Sequence, residues 1–127
     1  AGITIANRTL AKADELVAQF SAAGGKLSAS PFDALSDSFD IIINATSASL
    51  SAELPPVPAS AFSSETFAYD MMYGAAPTVF MQMAVGYGAR ACDGLGMLVE
   101  QAAESFFVWR GVRPDTAPVR QWLREQL

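Results

Sequence analysis

The chain has 127 residues, 51% of them hydrophobic and 17% charged, proportions that suit one globular domain with a real core and exclude disorder over most of its length. Eight Lys and Arg against thirteen Asp and Glu give a net charge of -5, and the stretch between Lys26 and Arg90 holds six acids and no base, which excludes a nucleic-acid partner. With no His and one Cys, Cys92, neither an imidazole base nor an internal disulfide is available, and no metal site is expected.

No apolar run reaches the roughly 20 residues of a membrane-spanning helix, and no basic-then-apolar leader opens the sequence. The expectation is a cytoplasmic protein without a membrane partner. The first residue is not Met and the apolar pattern starts at once, so the chain is expected to begin inside a domain.

Ile3 to Asn7 is a short β-branched run. Leu10, Ala13, Leu16, Val17 and Phe20 then recur at helical spacing, with Thr9 placed as N-cap and Gly24-Gly25 as the stop. Lys26 to Ala29 reads as a brief strand and Pro31 to Leu35 as one helical turn. Phe39 to Ala45 is almost wholly apolar, as expected for a parallel strand buried on both faces. From Thr46 to Ser64 the chain has six Ser, three Pro and no sustained period, the mark of a loop with one helical turn near Ala59. Thr66 to Met71 resumes as strand, and Val79, Phe80, Met83, Ala84 and Tyr87 fit one helix face ended by Gly86 and Gly88. Ala89 to Cys92 is a last strand. A long helix follows, with Leu95, Leu98, Val99, Ala102, Phe106 and Trp109 on its apolar side. Pro114-Asp115-Thr116 restarts a terminal helix carrying Val119, Trp122, Leu123 and Leu127. Strands alternating with helices of this length predict an α/β fold with a doubly wound parallel sheet, because parallel neighbours need crossover helices.

Four stretches carry polar chemistry at element ends. The first strand ends in Asn7-Arg8-Thr9, with Lys12 one helical turn beyond. In a dinucleotide fold that strand end faces the adenosine ribose, where an acid selects a free 2'-hydroxyl. Here a guanidinium, a hydroxyl and an ammonium stand instead, a set of donors for a 2'-phosphate beside the helix-start N–H groups. The same residues also suit solvated charges and a plain helix cap. Asn44-Ala45-Thr46-Ser47 ends the Ile-rich strand, where open α/β sheets place ligands, and its side chains suit either a ligand or the loop's own backbone. Tyr69-Asp70-Met71-Met72-Tyr73 ends the next strand. In the long helix Gly94, Met97 and Gln101 are offset by three and four residues and share one stripe, which suits either a ligand or, for Met97, the core and, for Gln101, water.

These motifs in this order, with Thr78 and Phe80 between them and Asp93-Gly94-Leu95-Gly96-Met97-Leu98-Val99 followed by Gln101-Ala102-Ala103, resemble the carboxyl-terminal half of shikimate dehydrogenases over essentially the whole chain. The resemblance implies a Rossmann-type NADP-binding domain, about residues 1–109, with a carboxyl-terminal helix, about 115–127. The parent enzyme it implies reduces 3-dehydroshikimate to shikimate in aromatic amino acid biosynthesis. Carried over by motif, it implies that Asn7, Arg8, Thr9 and Lys12 hold the 2'-phosphate and that Thr46 and Ser47 touch the cofactor. On the nicotinamide side it implies Met71, Gly94 and Met97, and for the substrate Tyr73 and Gln101. Ala48-Ser49, Met72 and Val79 depart from the family pattern.

The resemblance also places the first strand, its glycine-rich phosphate loop and the catalytic Lys and Asp of a substrate domain outside this chain. No catalytic residue is therefore expected here, and the chain by itself is expected to be silent. In the order 3-2-1-4-5-6 the strand outside the chain is central. Its place is expected to be closed by direct pairing of the Ile3 and Ile41 strands, filled by a partner chain in a homo-oligomer, or held by residues beyond these. Two alternatives accompany the reading: a non-catalytic Rossmann binding module, and a quinate/shikimate dehydrogenase preferring NAD, against which Arg8 and Lys12 argue.

Overall fold

Ile3 and Ile5 alternate with smaller residues, a pattern that suits a pleated strand with β-branched side chains on one face. In the computed structural model, which describes residues 2–46 and 53–127, they lie in strand β1 (Gly2–Ala6). Helix α1 (Leu10–Phe20) follows, then a 3₁₀ turn (Ser21–Ala23), and Gly24 ends it in the left-handed region at φ 79°. Strand β2 (Lys26–Ser30) pairs parallel with β1, setting Ile3 against Leu27 and Ile5 against Ala29. Phe32–Ala34 and Ala59–Ala61 each form one further 3₁₀ turn.

The second sheet is also parallel. Strand β3 (Ile41–Asn44) pairs with β4 (Phe67–Asp70), and β4 pairs with β5 (Arg90–Cys92). Helix α2 (Val79–Gly86) makes the crossover from β4 to β5, and helices α3 (Leu95–Arg110) and α4 (Ala117–Gln126) close the chain. The chain divides into two compact units, Ala1–Ser38 with Pro56–Ala61, and Phe39–Pro55 with Phe62–Leu127, each holding one sheet.

Neighbour by neighbour, β2-β1 and β3-β4-β5 match the 3-2 and 4-5-6 portions of the dinucleotide strand order. The α/β class with parallel strands is thus as expected. Direct pairing of the Ile3 strand with the Ile41 strand is not, since among the described residues the two belong to separate sheets.

The core of the larger unit forms where α2 and α3 meet the sheet. Phe80, Ala84, Leu95, Val99 and Ala103 are buried there with Ala68 of β4, and Phe80 is fully enclosed. Phe62 packs against the Phe80 and Tyr87 rings at centroid distances of 6.5 and 5.4 Å, both tilted, an arrangement that aromatic quadrupoles favour. Thr66 is buried with its hydroxyl satisfied, donating to the Phe39 carbonyl at 2.7 Å and accepting from the Ser63 N–H at 2.9 Å. In the smaller unit Ala13 of α1 is the buried residue of its helix.

Three packing expectations need correction. The Ile-rich strand is not buried on both faces: Ile41 and Ile43 are each 61% exposed, because they point to the same face of β3 and no described element covers that face. On α3 the buried stripe is Leu95, Val99 and Ala103, a run at four-residue spacing, while Ala102, Phe106 and Trp109 are exposed. Trp122 of α4 is exposed as well.

Truncating Phe80 empties the best-enclosed site of the larger unit. Phe80→Ala is expected to lower unfolding free energy by about 3–5 kcal/mol, read from urea denaturation. A loss below about 1 kcal/mol would show that the site collapses around the smaller side chain.

Candidate functional site

Parallel pairing brings the carboxyl ends of β3 and β4 level, with Asn44 opposite Asp70. Both side chains are buried, so each must find partners or carry the cost of desolvation. Among the described residues, three donors reach the Asp70 carboxylate. Asn44 Nδ2 donates to its Oδ1 at 3.2 Å, the Met72 N–H to the same oxygen at 3.1 Å, and the Thr78 hydroxyl to Oδ2 at 2.6 Å. Thr78 in turn caps α2, its oxygen accepting from the Met81 N–H at 3.2 Å. One buried carboxylate thereby ties the end of β3, the exit of β4 and the start of α2.

Asn44 Oδ1 accepts from both the Thr46 N–H at 3.1 Å and the Thr46 hydroxyl at 2.8 Å. The Asn44 and Thr46 side chains thus organise the strand-end turn, the backbone use that their residue types also allow. Ser47 and the Ala48-Ser49 departure lie outside the described residues.

The loop leaving β4 carries Met71 and Tyr73, exposed by 39% and 41%. Helix α3 begins directly against this loop: the Gly94 N–H donates to the Met72 carbonyl at 3.0 Å. A side chain at position 94 would overlap the Met71 carbonyl, so only glycine permits this approach. Met97 and Gln101, three and seven residues on, are exposed, so Met97 is not core filler. Met71, Tyr73, Gly94 and Met97 therefore belong to one junction of loop and helix, Gln101 continues the same helix stripe one turn on, and all but Gly94 are open to solvent.

Tyr69 stands beside this junction on β4, paired in register with Cys92. Burial raises its phenol above the usual tyrosine range, the charges of Cys92 and Asp93 add to the rise, and a hydrogen bond with the Met97 backbone opposes it. The phenol therefore stays neutral across physiological pH.

The smaller unit carries the other predicted cluster. Asn7 follows β1, and its Oδ1 accepts from the Thr9 N–H at 3.0 Å. Thr9 stands at the N-cap position of α1 but makes no side-chain cap bond; its carbonyl accepts from the Lys12 N–H at 3.0 Å. The expectation that Thr9 caps through its side chain is corrected here: the Asn7 side chain builds the turn, leaving the hydroxyl at the tip. Arg8 is exposed, the first turn of α1 contains no acid, and neither Arg8 nor Lys12 forms an ion pair among the described residues.

Sequence reasoning quoted Asp70 and Thr78 only as motif letters and missed the burial that makes them the hub of this face. A signal existed, since an acid in an otherwise apolar strand end is expected to be partnered. Among the described residues no group of His, Cys, Asp and Glu is placed to hold a metal ion, and no helix is long and apolar enough to cross a membrane.

These features define an α/β protein with parallel sheets and a polar face at the strand carboxyl ends, the place where such sheets hold ligands. A family model described as the shikimate 5'-dehydrogenase C-terminal domain matches residues 94–124. The NADP(+) shikimate dehydrogenase of Janthinobacterium sp. (strain Marseille) is 59% identical over 127 residues, which are 100% of this chain and 46% of that protein. An Ael1 enzyme from Pseudomonas putida superposes with a TM-score of 0.87 at 50% identity, covering 96% of this chain and 45% of that one. The shikimate 5-dehydrogenase of Thermus thermophilus, crystallised with NADP(H) and shikimate, superposes with a TM-score of 0.80 at 30% identity, covering 98% of this chain and 46% of that one. The chain is thus related over its whole length to the carboxyl-terminal half of shikimate dehydrogenases, the resemblance its motifs carry, and spans about half the length of these relatives.

Removing the hub acceptor strands the donors of Asn44, Met72 and Thr78. Asp70→Ala is expected to cost at least about 3 kcal/mol, and Asp70→Asn clearly less, since the amide oxygen can still accept and its NH₂ can donate to Thr78. Guanidinium unfolding of the two variants checks the ranking; equal losses would contradict it.

Proposed function

We propose that this chain is the cofactor-binding half of an NADP-dependent shikimate dehydrogenase, an oxidoreductase that reduces 3-dehydroshikimate to shikimate in aromatic amino acid biosynthesis in the cytoplasm. Residues 1–109 form its Rossmann-type domain and residues 115–127 its closing helix. The observation that carries the cofactor assignment is the tip after β1. Arg8 and Lys12, without an ion pair among the described residues, flank the start of a helix that has no acid in its first turn. That is a fit for a dianionic phosphate and a misfit for the acid that would hold a free 2'-hydroxyl. Asn7 and Thr9 add polar groups to the same tip.

In this reading Thr46 and Ser47 line the cofactor path at the end of β3, and Met71, Gly94 and Met97 pack against its nicotinamide side. The bound cofactor supplies the hydride. Tyr73 and Gln101 offer a hydroxyl and an amide to the hydroxylated substrate, and their exposure supports that use. The proton-transferring Lys and Asp belong to the substrate domain of the parent protein, the partner of this half. The edge of β3 is paired in the parent by the rest of the chain; two copies of this half taken alone could meet through it.

The NAD-preferring alternative is disfavoured by the same two cations. A binding module without turnover would hold the dinucleotide but not shikimate. In the parent enzyme Arg8→Asp is expected to weaken NADP binding by about 2–3 kcal/mol, the scale of two lost charge-assisted hydrogen bonds, while NAD binding changes little. Titration of both dinucleotides decides, and equal losses would remove the assignment. The 127-residue chain by itself is expected to give no shikimate-dependent reduction of NADP(+), and measurable turnover in that assay would contradict the division of labour.

A further inference from the structure

The closing helix makes a contact that the cofactor and substrate assignments leave unexplained. Arg124 lies in the last turn of α4. Its Nη2 donates to both carboxylate oxygens of Asp93, each at 2.7 Å, and its Nη1 donates to the Gly74 carbonyl at 3.1 Å. Asp93 is 8% exposed and is already committed to α3, since its Oδ1 accepts from the Leu95 N–H at 3.3 Å. Gly74 directly follows Tyr73, and Asp93 directly precedes Gly94. One guanidinium therefore ties the middle of the Tyr73 loop to the residue that opens α3.

The chemistry of this link is specific to arginine. Its planar fork presents donors in two directions, so it can bond a carboxylate and a carbonyl that lie on different segments. An ammonium is a single centre and can neutralise Asp93 without also bridging to Gly74 in that geometry. The Asp93 carboxylate, placed beside the N-terminus of α3, is stabilised there by the helix dipole and gives Arg124 a rigid anchor. The Gly94-to-Met72 hydrogen bond and the Thr78 hydroxyl on Asp70 fasten the two ends of the same loop, so removing Arg124 frees only its middle, the part that contains Tyr73 and Gly74.

We propose that Arg124 is a positioning residue that sets the distance between Tyr73 and Gln101, and so governs use of the small hydroxylated substrate while leaving the adenosine end of the dinucleotide untouched. This rests on the reading of Tyr73 and Gln101 as substrate contacts. Arg124 touches neither substrate nor cofactor in it; the action is through the backbone at Gly74 and Asp93.

The test uses the full-length parent enzyme with Arg124→Ala, Arg124→Lys and, as a charge control on the same helix, Arg120→Ala. Arg120 is exposed and forms no ion pair among the described residues. For Arg124→Ala, kcat/KM for 3-dehydroshikimate is expected to fall about tenfold, the scale of a small misplacement of positioning groups, while KM for NADPH stays within about twofold. Arg124→Lys is expected to recover part of the loss and Arg120→Ala to behave as wild type. Hydrogen exchange of the backbone at residues 71–76 and 93–98 is expected to quicken in Arg124→Ala alone. Unchanged exchange in both segments overturns the proposal, as does unchanged kcat/KM or an equal loss in Arg120→Ala. Should the wild-type parent fail to reduce 3-dehydroshikimate, the proposed function falls, and the exchange comparison still decides for or against Arg124 as the tether.

Discussion

Burial of the Asp70 carboxylate is the constraint on which the polar face at the larger unit's strand ends depends. A carboxylate removed from water persists in a fold only if charge-assisted donors replace its hydration. Here the donors come from three places: the end of β3, the backbone just past β4, and the cap of α2. The loop between Met71 and Thr78 is thus held at both of its roots by one side chain. Because Gly94 docks on the Met71–Met72 backbone, the start of α3 inherits its position from the same carboxylate. Sheet order, loop and helix are coupled at this point.

The elements themselves were legible because their signals are local. Period-two and period-3.6 patterns place β1, α1, β2, β4, α2, β5 and α3 within a residue or two of where they occur, and Gly24 stops the first helix in the left-handed conformation that glycine tolerates. Burial was less legible, since it depends on what lies opposite. Ile41 and Ile43 read as a doubly covered strand, yet the face of β3 that they share is open among the described residues. At Thr9 the Lys12 N–H, which a threonine cap would take, goes to the Thr9 carbonyl instead, so the hydroxyl makes no cap bond, while Asn7 Oδ1 accepts the Thr9 N–H. The Arg124 link could not be read at all, because its partners lie 31 and 50 positions away and no periodicity connects them.

The candidate site divides along the same line. Residue types at strand ends single out segments that the fold sets at the strand carboxyl ends and the start of α3: Asn44 and Thr46, Met71 and Tyr73, and Gly94 with Met97. What each side chain does there required coordinates. Asn44 turns its amide inward to Asp70 and Thr46 turns its hydroxyl to Asn44, so the strand-end motif is first of all a device for shaping a turn. The junction of loop and helix, by contrast, leaves Met71, Tyr73, Met97 and Gln101 exposed, which is where adaptable apolar and polar contacts to a bound molecule belong.

The tip after β1 poses an electrostatic question of its own. Lacking an ion pair does not distinguish Arg8 and Lys12, because Lys26, Arg90, Arg110 and Arg120 also form none among the described residues. Their place does. A helix N-terminus carries partial positive charge and is stabilised by acids, each worth about 0.3–1 kcal/mol at an exposed site. Here two cations occupy that position and the first turn supplies no compensating acid. Lys12 and Arg8 thus work against the helix they adjoin in a chain whose net charge is -5 and which has thirteen acids to draw on. In the cofactor reading such a local electrostatic cost, at the end of a parallel strand where sheets of this class hold their ligands, would be offset by a bound anion.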